Sequence, residues 1–319
     1  MANNNAADDV FVYMGGSQVV PDEVTHAIID PSLKFIPDEA FYWRRHLVSV
    51  EMHSGVKEIY ARAFTGTSLR SINLSGVEFV DDSAFNGCKN LADVEFGDKL
   101  GIIGREVFEN CHSLKSVVLK NVRFIGYGAF CSCKQLSHVE CGEKLLKIEG
   151  RAFDRSRSLK HIVIPLKVDL VGFYDRAFCC DGLSSIGLVE GIHKTANSFQ
   201  LKSMKRQMNE QINRVNLTLP TVPASSKTTF IQDWIVSTHR KFTRYKKKHN
   251  NLLKEATTLL ELALWKYMLA ENEGSSVEVN PKKKIKIDAQ TSRAKQRIAS
   301  GATFSIVIKN VLPFLRLEE

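Results

Sequence analysis

Apolar and polar positions in the first half of the chain keep one beat. An Ala-Phe or Val-Phe pair ends at Phe41, Phe64, Phe85, Phe108, Phe130, Phe153 and Phe178, with gaps of 23, 21, 23, 22, 23 and 25 residues. Five positions before six of these lies an aliphatic residue: Ile36, Ile59, Val80, Ile103, Ile125 or Ile148. A leucine follows each by five or six positions, at Leu47, Leu69, Leu91, Leu114, Leu136, Leu159 and Leu183. Three residues later stands Val or Ile, and two beyond that usually a further apolar residue. The unit reads I-x-x-x-A-F-x-x-C-x-x-L-x-x-V-x-L. Its V-x-L step has a period of two, so those side chains share one face of a short strand and the residue between them points out. Self-similarity at this period predicts a solenoid of about seven units, whose strands stack in parallel about 4.8 Å apart. The Phe, Leu and Val columns would form one continuous core.

The ends of the array depart from the beat. Val24, Ala27 and Ile29 mimic the strand part of a unit ahead of Ile36, as expected of a terminal, capping unit. Residues 1–10 are polar and expected to be disordered. Between Val171 and Phe178 a two-residue insertion is expected around Gly172–Asp175.

The repeated motif resembles that of the BspA-type leucine-rich repeat family, over roughly residues 11–191. It differs from the better-known leucine-rich form in placing its Cys before the strand. The resemblance implies an α/β repeat fold, a leucine-rich repeat solenoid with parallel short strands, and a role as an interaction module. Many such proteins are surface proteins of bacteria and protists. The whole chain, basic tail included, also resembles leucine-rich repeat proteins of diatoms.

After about Gly191 the beat stops and an α-helical C-terminal segment, 195–319, is predicted. Apolar residues between Ser198 and Asn216 fall at three- and four-residue steps, which predicts a helix. Residues 217–229 hold two prolines and a Ser/Thr cluster, and read as a linker. Ile231, Ile235, Thr238, Phe242, Tyr245, His249, Leu252, Ala256, Leu259 and Ala263 then form a heptad seam. It predicts a long helix over 228–270, with Asn250-Asn251 as its weakest point. A loop is expected at 274–287 and a last helix at 292–312, ended by Pro313. The helices can cap the open edge of the solenoid, or the seam can mediate self-association as a coiled coil.

Composition narrows the function classes. No apolar run approaches a membrane span, and no basic-then-apolar leader opens the sequence. An intracellular, cytoplasmic location is therefore expected. Seven cysteines, an odd number, argue against a disulfide framework. Cys88, Cys111 and Cys133 share one column and read as packing thiols. Cys131-x-Cys133 with Cys141 or His138 lacks the paired spacing of a zinc site. No phosphate-binding glycine loop, nucleophile elbow or H-E-x-x-H pattern occurs, so neither an enzyme nor a cofactor is expected.

Two groups of residues carry the candidate chemistry. The outward strand columns place Glu51, Ser71, Asn73, Asp93, Glu95, Ser116, His138, Glu140 and His161 on one side, where a protein partner of basic character would bind. His138 and His161 fall on adjacent strands, where they could share a metal or a proton but read more simply as exposed histidines. The second group is basic. From Thr195 onward there are 22 Lys/Arg against 10 Asp/Glu, whereas the preceding residues carry 22 against 25. Arg244, Lys246, Lys247 and Lys248 fall on the long helix. Lys282, Lys283, Lys284 and Lys286 fall in the loop, where they resemble a nuclear-import segment. The expected function is a non-enzymatic interaction scaffold; the alternative is an adaptor associated with the nucleus or with nucleic acid through its basic tail.

Overall fold

The computed structural model describes residues 10–167, 169–171, 176–189 and 199–273. Expectations for residues 1–9, the 172–175 insertion, the 274–287 loop and the 292–312 helix lie outside the described residues.

The strands run in chain order as β1 (Phe11–Tyr13), β2 (His26–Ile29), β3 (Phe35–Ile36), β4 (Ser49–Glu51) and β5 (Glu58–Ile59). They continue with β6 (Ser71–Leu74), β7 (Phe79–Val80), β8 (Asp93–Phe96), β9 (Ile102–Ile103) and β10 (Ser116–Leu119). The last are β11 (Phe124–Ile125), β12 (His138–Cys141), β13 (Lys147–Ile148), β14 (His161–Ile164) and β15 (Ser185–Leu188). From β2 to β14 longer and two-residue strands alternate. The longer strands pair in parallel as β1-β2-β4, β6-β8 and β10-β12-β14-β15. The two-residue strands form a second parallel sheet, β3-β5-β7-β9-β11-β13, at the aliphatic position of the motif. The stack of V-x-L strands is as the period-two step predicts. The second sheet is not foreshadowed, because two residues are too short to show a period.

The core phenylalanines form a ladder. Successive rings from Phe41 to Phe178 stack with centroids 5.0, 5.2, 5.4, 5.3, 5.5 and 6.0 Å apart, and all are fully buried. Strand spacing and ring stacking demand nearly the same repeat, so one residue type serves every rung. The backbone repeats with it: each of Phe41, Phe64, Phe85, Phe108, Phe130 and Phe153 donates its N–H to the carbonyl before the next core phenylalanine, at 2.7–2.9 Å. The residue before each Phe is buried except Ala40, which is partly buried, and this explains the preference for Ala at that position. Left-handed residues bracket the ladder. Glu39, Arg62, Ser83, Glu106, Gly128, Arg151 and Arg176 precede each Phe by two, with φ between 53° and 64°. At its first end the ladder is covered by Tyr13, whose ring lies 4.9 Å from that of Phe41.

The cysteine column adds a second role to packing. Cys88, Cys111 and Cys133 donate their thiols to the carbonyls of Phe64 (3.1 Å), Phe85 (3.3 Å) and Phe108 (3.1 Å), one unit back. Ser156 occupies the same column and donates to Phe130 at 2.7 Å. All seven cysteines are free, and only Cys179 is not buried.

Two helices follow, α1 (Phe199–Thr218) and α2 (Ala224–Glu273), joined by a 3-10 turn at Leu219–Thr221. The expected linker over 217–229 is thus corrected: only the turn and two further residues separate the helices. Pro220 sits in the first positions of the 3-10 turn and Pro223 immediately precedes α2, places where a missing N–H costs nothing. The Ser/Thr cluster forms the first turns of α2. The helix also passes through Asn250-Asn251 without a break, since Asn costs a helix only about 0.5 kcal/mol.

The helices finish the core. Val215, Leu219, Ile231 and Ile235 join the solenoid's buried cluster. Three polar residues satisfy the last unit. Thr228 Oγ1 accepts from Phe178 N (2.9 Å), where earlier units use a backbone carbonyl. Asn216 pairs with both backbone groups of Ile186. Lys227 Nζ donates to the carbonyls of Asp181 (2.9 Å) and Leu183 (2.6 Å). The chain accordingly divides into units of residues 1–240 and 241–319, not at the end of the repeats. Of the second unit only the continuation of α2 is described.

Candidate binding face

The outward strand positions lie where the period-two step places them. Ser71, Asn73, Asp93, Glu95, Ser116 and Glu140 are exposed on β6, β8, β10 and β12, as is Glu51 on β4. Register aligns Ser71 with Asp93 and Asn73 with Glu95, and then Ser116 with His138 and His161. Parallel pairing without slip therefore turns repeats in sequence into columns on one surface.

Within the columns, neighbours interact. Asn73 Nδ2 donates to Glu95 Oε2 at 2.7 Å, and Asn73 Oδ1 accepts from Ser75 N at 2.8 Å. The Asn73 amide is thereby fixed, and it in turn holds the Glu95 carboxylate. His138 and His161 stack with centroids 5.4 Å apart and planes 10° from parallel. His161 Nδ1 also lies 2.7 Å from Ser185 Oγ. Burial, and then the His138 charge, hold His161 below the ordinary histidine range. The pair is half-buried, so it is not the exposed pair expected from the sequence. Among the described residues, no group of three His, Cys, Asp or Glu side chains is placed to hold a metal ion.

The face carries both signs of charge. Glu51 on β4, Asp93 and Glu95 on β8 and Glu140 on β12 expose carboxylates there, and Arg70, Lys115 and Lys160, each one residue ahead of a strand, are exposed cations. A depression of about 490 Å³ opens at the start of β6 and β8, between Arg70 and Asp93. Rigid strands with fixed carboxylates suit recognition by charge and shape.

The basic group is only partly described. Arg244 and Lys247 are exposed on α2. Lys246 and Lys248 lie on the same helix, with side chains outside the described residues. Lys282, Lys283, Lys284 and Lys286 lie outside them altogether. The seam of α2 begins inside the fold: Ile231, Ile235 and Thr238 are buried. That part caps the solenoid and is not open to a second chain. No helix among the described residues is long and apolar enough to cross a membrane.

A family model described as BspA type leucine-rich repeat region matches in six copies, over residues 22–130 and 101–216. No curated protein matches. Among solved structures, the chain is similar to a leucine-rich repeat protein from Bacteroides ovatus, at 20% identity and a TM-score of 0.34, over 53% of this chain and 55% of that one. It is similar to the T. pallidum leucine-rich repeat protein at 22% identity and a TM-score of 0.35, over 57% of this chain and 82% of that one. The pneumococcal vaccine antigen PcpA is similar at 16% identity and a TM-score of 0.29, over 57% of this chain and 66% of that one. The chain thus spans about half the length of the Bacteroides ovatus protein. None of these comparisons indicates a catalytic family. The chain belongs to the BspA-type leucine-rich repeat family.

Proposed function

We propose that this protein is a non-enzymatic scaffold that holds a basic protein partner against the outward columns of its longer strands. The observation that carries this reading is the set of exposed carboxylates, Glu51, Asp93, Glu95 and Glu140, at outward positions of the parallel strands. Strands fixed by a continuous core offer such a partner a surface with little ordering cost. The protein works inside the cell, in the cytoplasm. The likeness of the whole chain to leucine-rich repeat proteins of diatoms belongs to the same reading.

The test compares the full chain with a Glu95→Lys/Glu140→Lys variant in affinity capture, at low and high salt. A partner that is retained by the wild type and lost from the variant, with the melting temperature unchanged, supports the scaffold. Equal capture by both would remove the strand face from the reading.

The second reading rests on the exposed Arg244 and Lys247 of α2, beside further lysines in sequence. Here the basic tail contacts an anionic partner such as nucleic acid, and Lys282–Lys286 directs nuclear import. Binding of that kind weakens steeply with salt. It vanishes when Lys246, Lys247 and Lys248 are neutralised, and survives Glu95→Lys.

A further inference from the structure

Between the core phenylalanines and the strands that follow them, the first four units line a groove of about 680 Å³. Its floor is Gly66 and Gly87, each two residues after a core phenylalanine and left-handed, with φ of 74° and 73°. Other units carry Trp43, Asn110, Ser132 and Arg155 at this position. A Cβ on Gly66 would lie 2.9 Å from the Trp43 ring, so the indole leans over that glycine. A Cβ on Gly87 would meet nothing closer than 3.9 Å. Two bare rungs thus leave a notch between Trp43 and Asn110.

The lining is one-sided in charge. Arg45, Lys89 and His112 border it, and no acidic residue does. The Arg45 guanidinium sits 4.6 Å from the centroid of the Trp43 ring, which holds a planar cation at one end. Burial, followed by the charges of Lys134 and Lys89, keeps His112 below the usual histidine range. Some cations on the solenoid are matched, Arg62 by Glu39 (3.0 Å), Lys57 by Glu78 (3.6 Å) and Arg151 by Asp154 (3.0 Å). Arg45, Lys89 and Lys134 form no ion pair among the described residues. Asn86 is engaged by Glu109 at 3.2 Å, but the amides of Asn90 and Asn110 have no partner among the described residues. Unmatched cations and free amide donors in a cleft without carboxylates form a receptor for anionic oxygens.

The spacing selects the ligand. Arg45 and Lys89 lie two units apart and His112 one unit further, or roughly 10 and 14 Å at the strand repeat. That exceeds one phosphate. It matches carboxylates on alternate residues of an extended chain, which share one face and recur about every 6.6 Å, so that i and i+4 span about 13 Å. We infer that the groove over Gly66 and Gly87 binds an extended acidic peptide segment laid along the solenoid axis, with carboxylates at Arg45, Lys89 and the Asn110–His112 end. Asn90 also borders the depression at the start of β6 and β8, so the groove adjoins the strand face. The assignment does not depend on that face.

Isothermal titration of the full chain with hexaglutamate tests it, with inorganic phosphate as the single-anion probe. The expected result is binding that weakens at least tenfold in Arg45→Gln/Lys89→Gln and holds in Lys144→Gln/Lys147→Gln, whose charges lie elsewhere on the solenoid. All three proteins melt alike, because the four altered side chains are exposed. Undiminished binding by Arg45→Gln/Lys89→Gln would place the peptide on other basic residues and overturn the inference. So would phosphate binding as tightly as hexaglutamate, since the groove would then take single anions.

Discussion

Asn216 stands to Ile186 as a neighbouring strand would. Its Oδ1 accepts from Ile186 N at 2.8 Å and its Nδ2 donates to Ile186 O at 3.1 Å. One side-chain amide reproduces the donor and acceptor that a further repeat would offer to the edge of β15. Open strand edges invite pairing with other chains, and at Ile186 this edge is occupied from within.

Asn216→Ala removes both bonds and leaves the Ile186 backbone unpaired at a partly buried site. Urea unfolding should show a loss of about 1–3 kcal/mol. Asn216→Asp keeps an acceptor but sets an oxygen against the Ile186 carbonyl, and should also destabilise. A loss confined to a few tenths of a kcal/mol in both variants would mean that water replaces the amide.

Lys227 is 1% exposed and spans the carbonyls of Asp181 and Leu183. Lys227→Met keeps most of the stem and strands both acceptors, so a loss of about 2 kcal/mol is expected. Burial lowers the Lys227 pKa from its usual 10.5. Between the folded and unfolded values the unfolded chain binds more protons, so this contribution rises with pH and is lost as pH falls. The gap between wild type and Lys227→Met should therefore widen as pH climbs toward 10.5. A gap that narrows would contradict the assignment.

The buried thiols act with the opposite sign. Burial pushes Cys88 to about 11 and Cys141 to about 12, and raises Cys111, Cys133 and Cys180 as well. Their contribution is complete below the unfolded value near 9 and is lost as pH rises through the folded values. Cys88→Ser should fold, because Ser156 already makes the equivalent bond to Phe130, and it should flatten the alkaline loss. In the native protein a thiol reagent should titrate Cys179 alone. Rapid labelling of Cys111 or Cys133 without unfolding would refute the buried column.

Backbone conformation separates two substitutions that look alike on paper. Ser83 holds φ at 59°, so Ser83→Gly should stabilise by up to about 1 kcal/mol. Gly142→Ala would set a Cβ 1.8 Å from the Lys120 carbonyl oxygen and should cost about 3 kcal/mol or prevent folding. Melting curves read both, and a stable Gly142→Ala protein would show that the two units can part at that point.

The solenoid was legible because five apolar columns keep phase over seven units, and one phase fixes which strand residues face out. Glu95 and Glu140 could be placed on one side from the V-x-L step alone. The second sheet was hidden by its two-residue strands. The cap was hidden for a different reason: Asn216, Lys227 and Thr228 are single polar residues without a pattern, lying where prolines suggested a linker. The half-buried state of His138 and His161 depends on ring stacking between units, which spacing does not report. The Gly66–Gly87 notch is a gap made by missing side chains some 21 residues apart, and a motif search looks for what is present.

Tyr13 reads a phenyl ring, whereas Asn216 and Thr228 read peptide atoms that every unit offers alike. Neither terminator holds any record of how many units lie between them. Whole units can therefore be gained or lost in the interior, by duplication or deletion in the gene, and the same two plugs will fit the ends. In this architecture the length of the strand face is free to evolve while the means of ending it stays fixed.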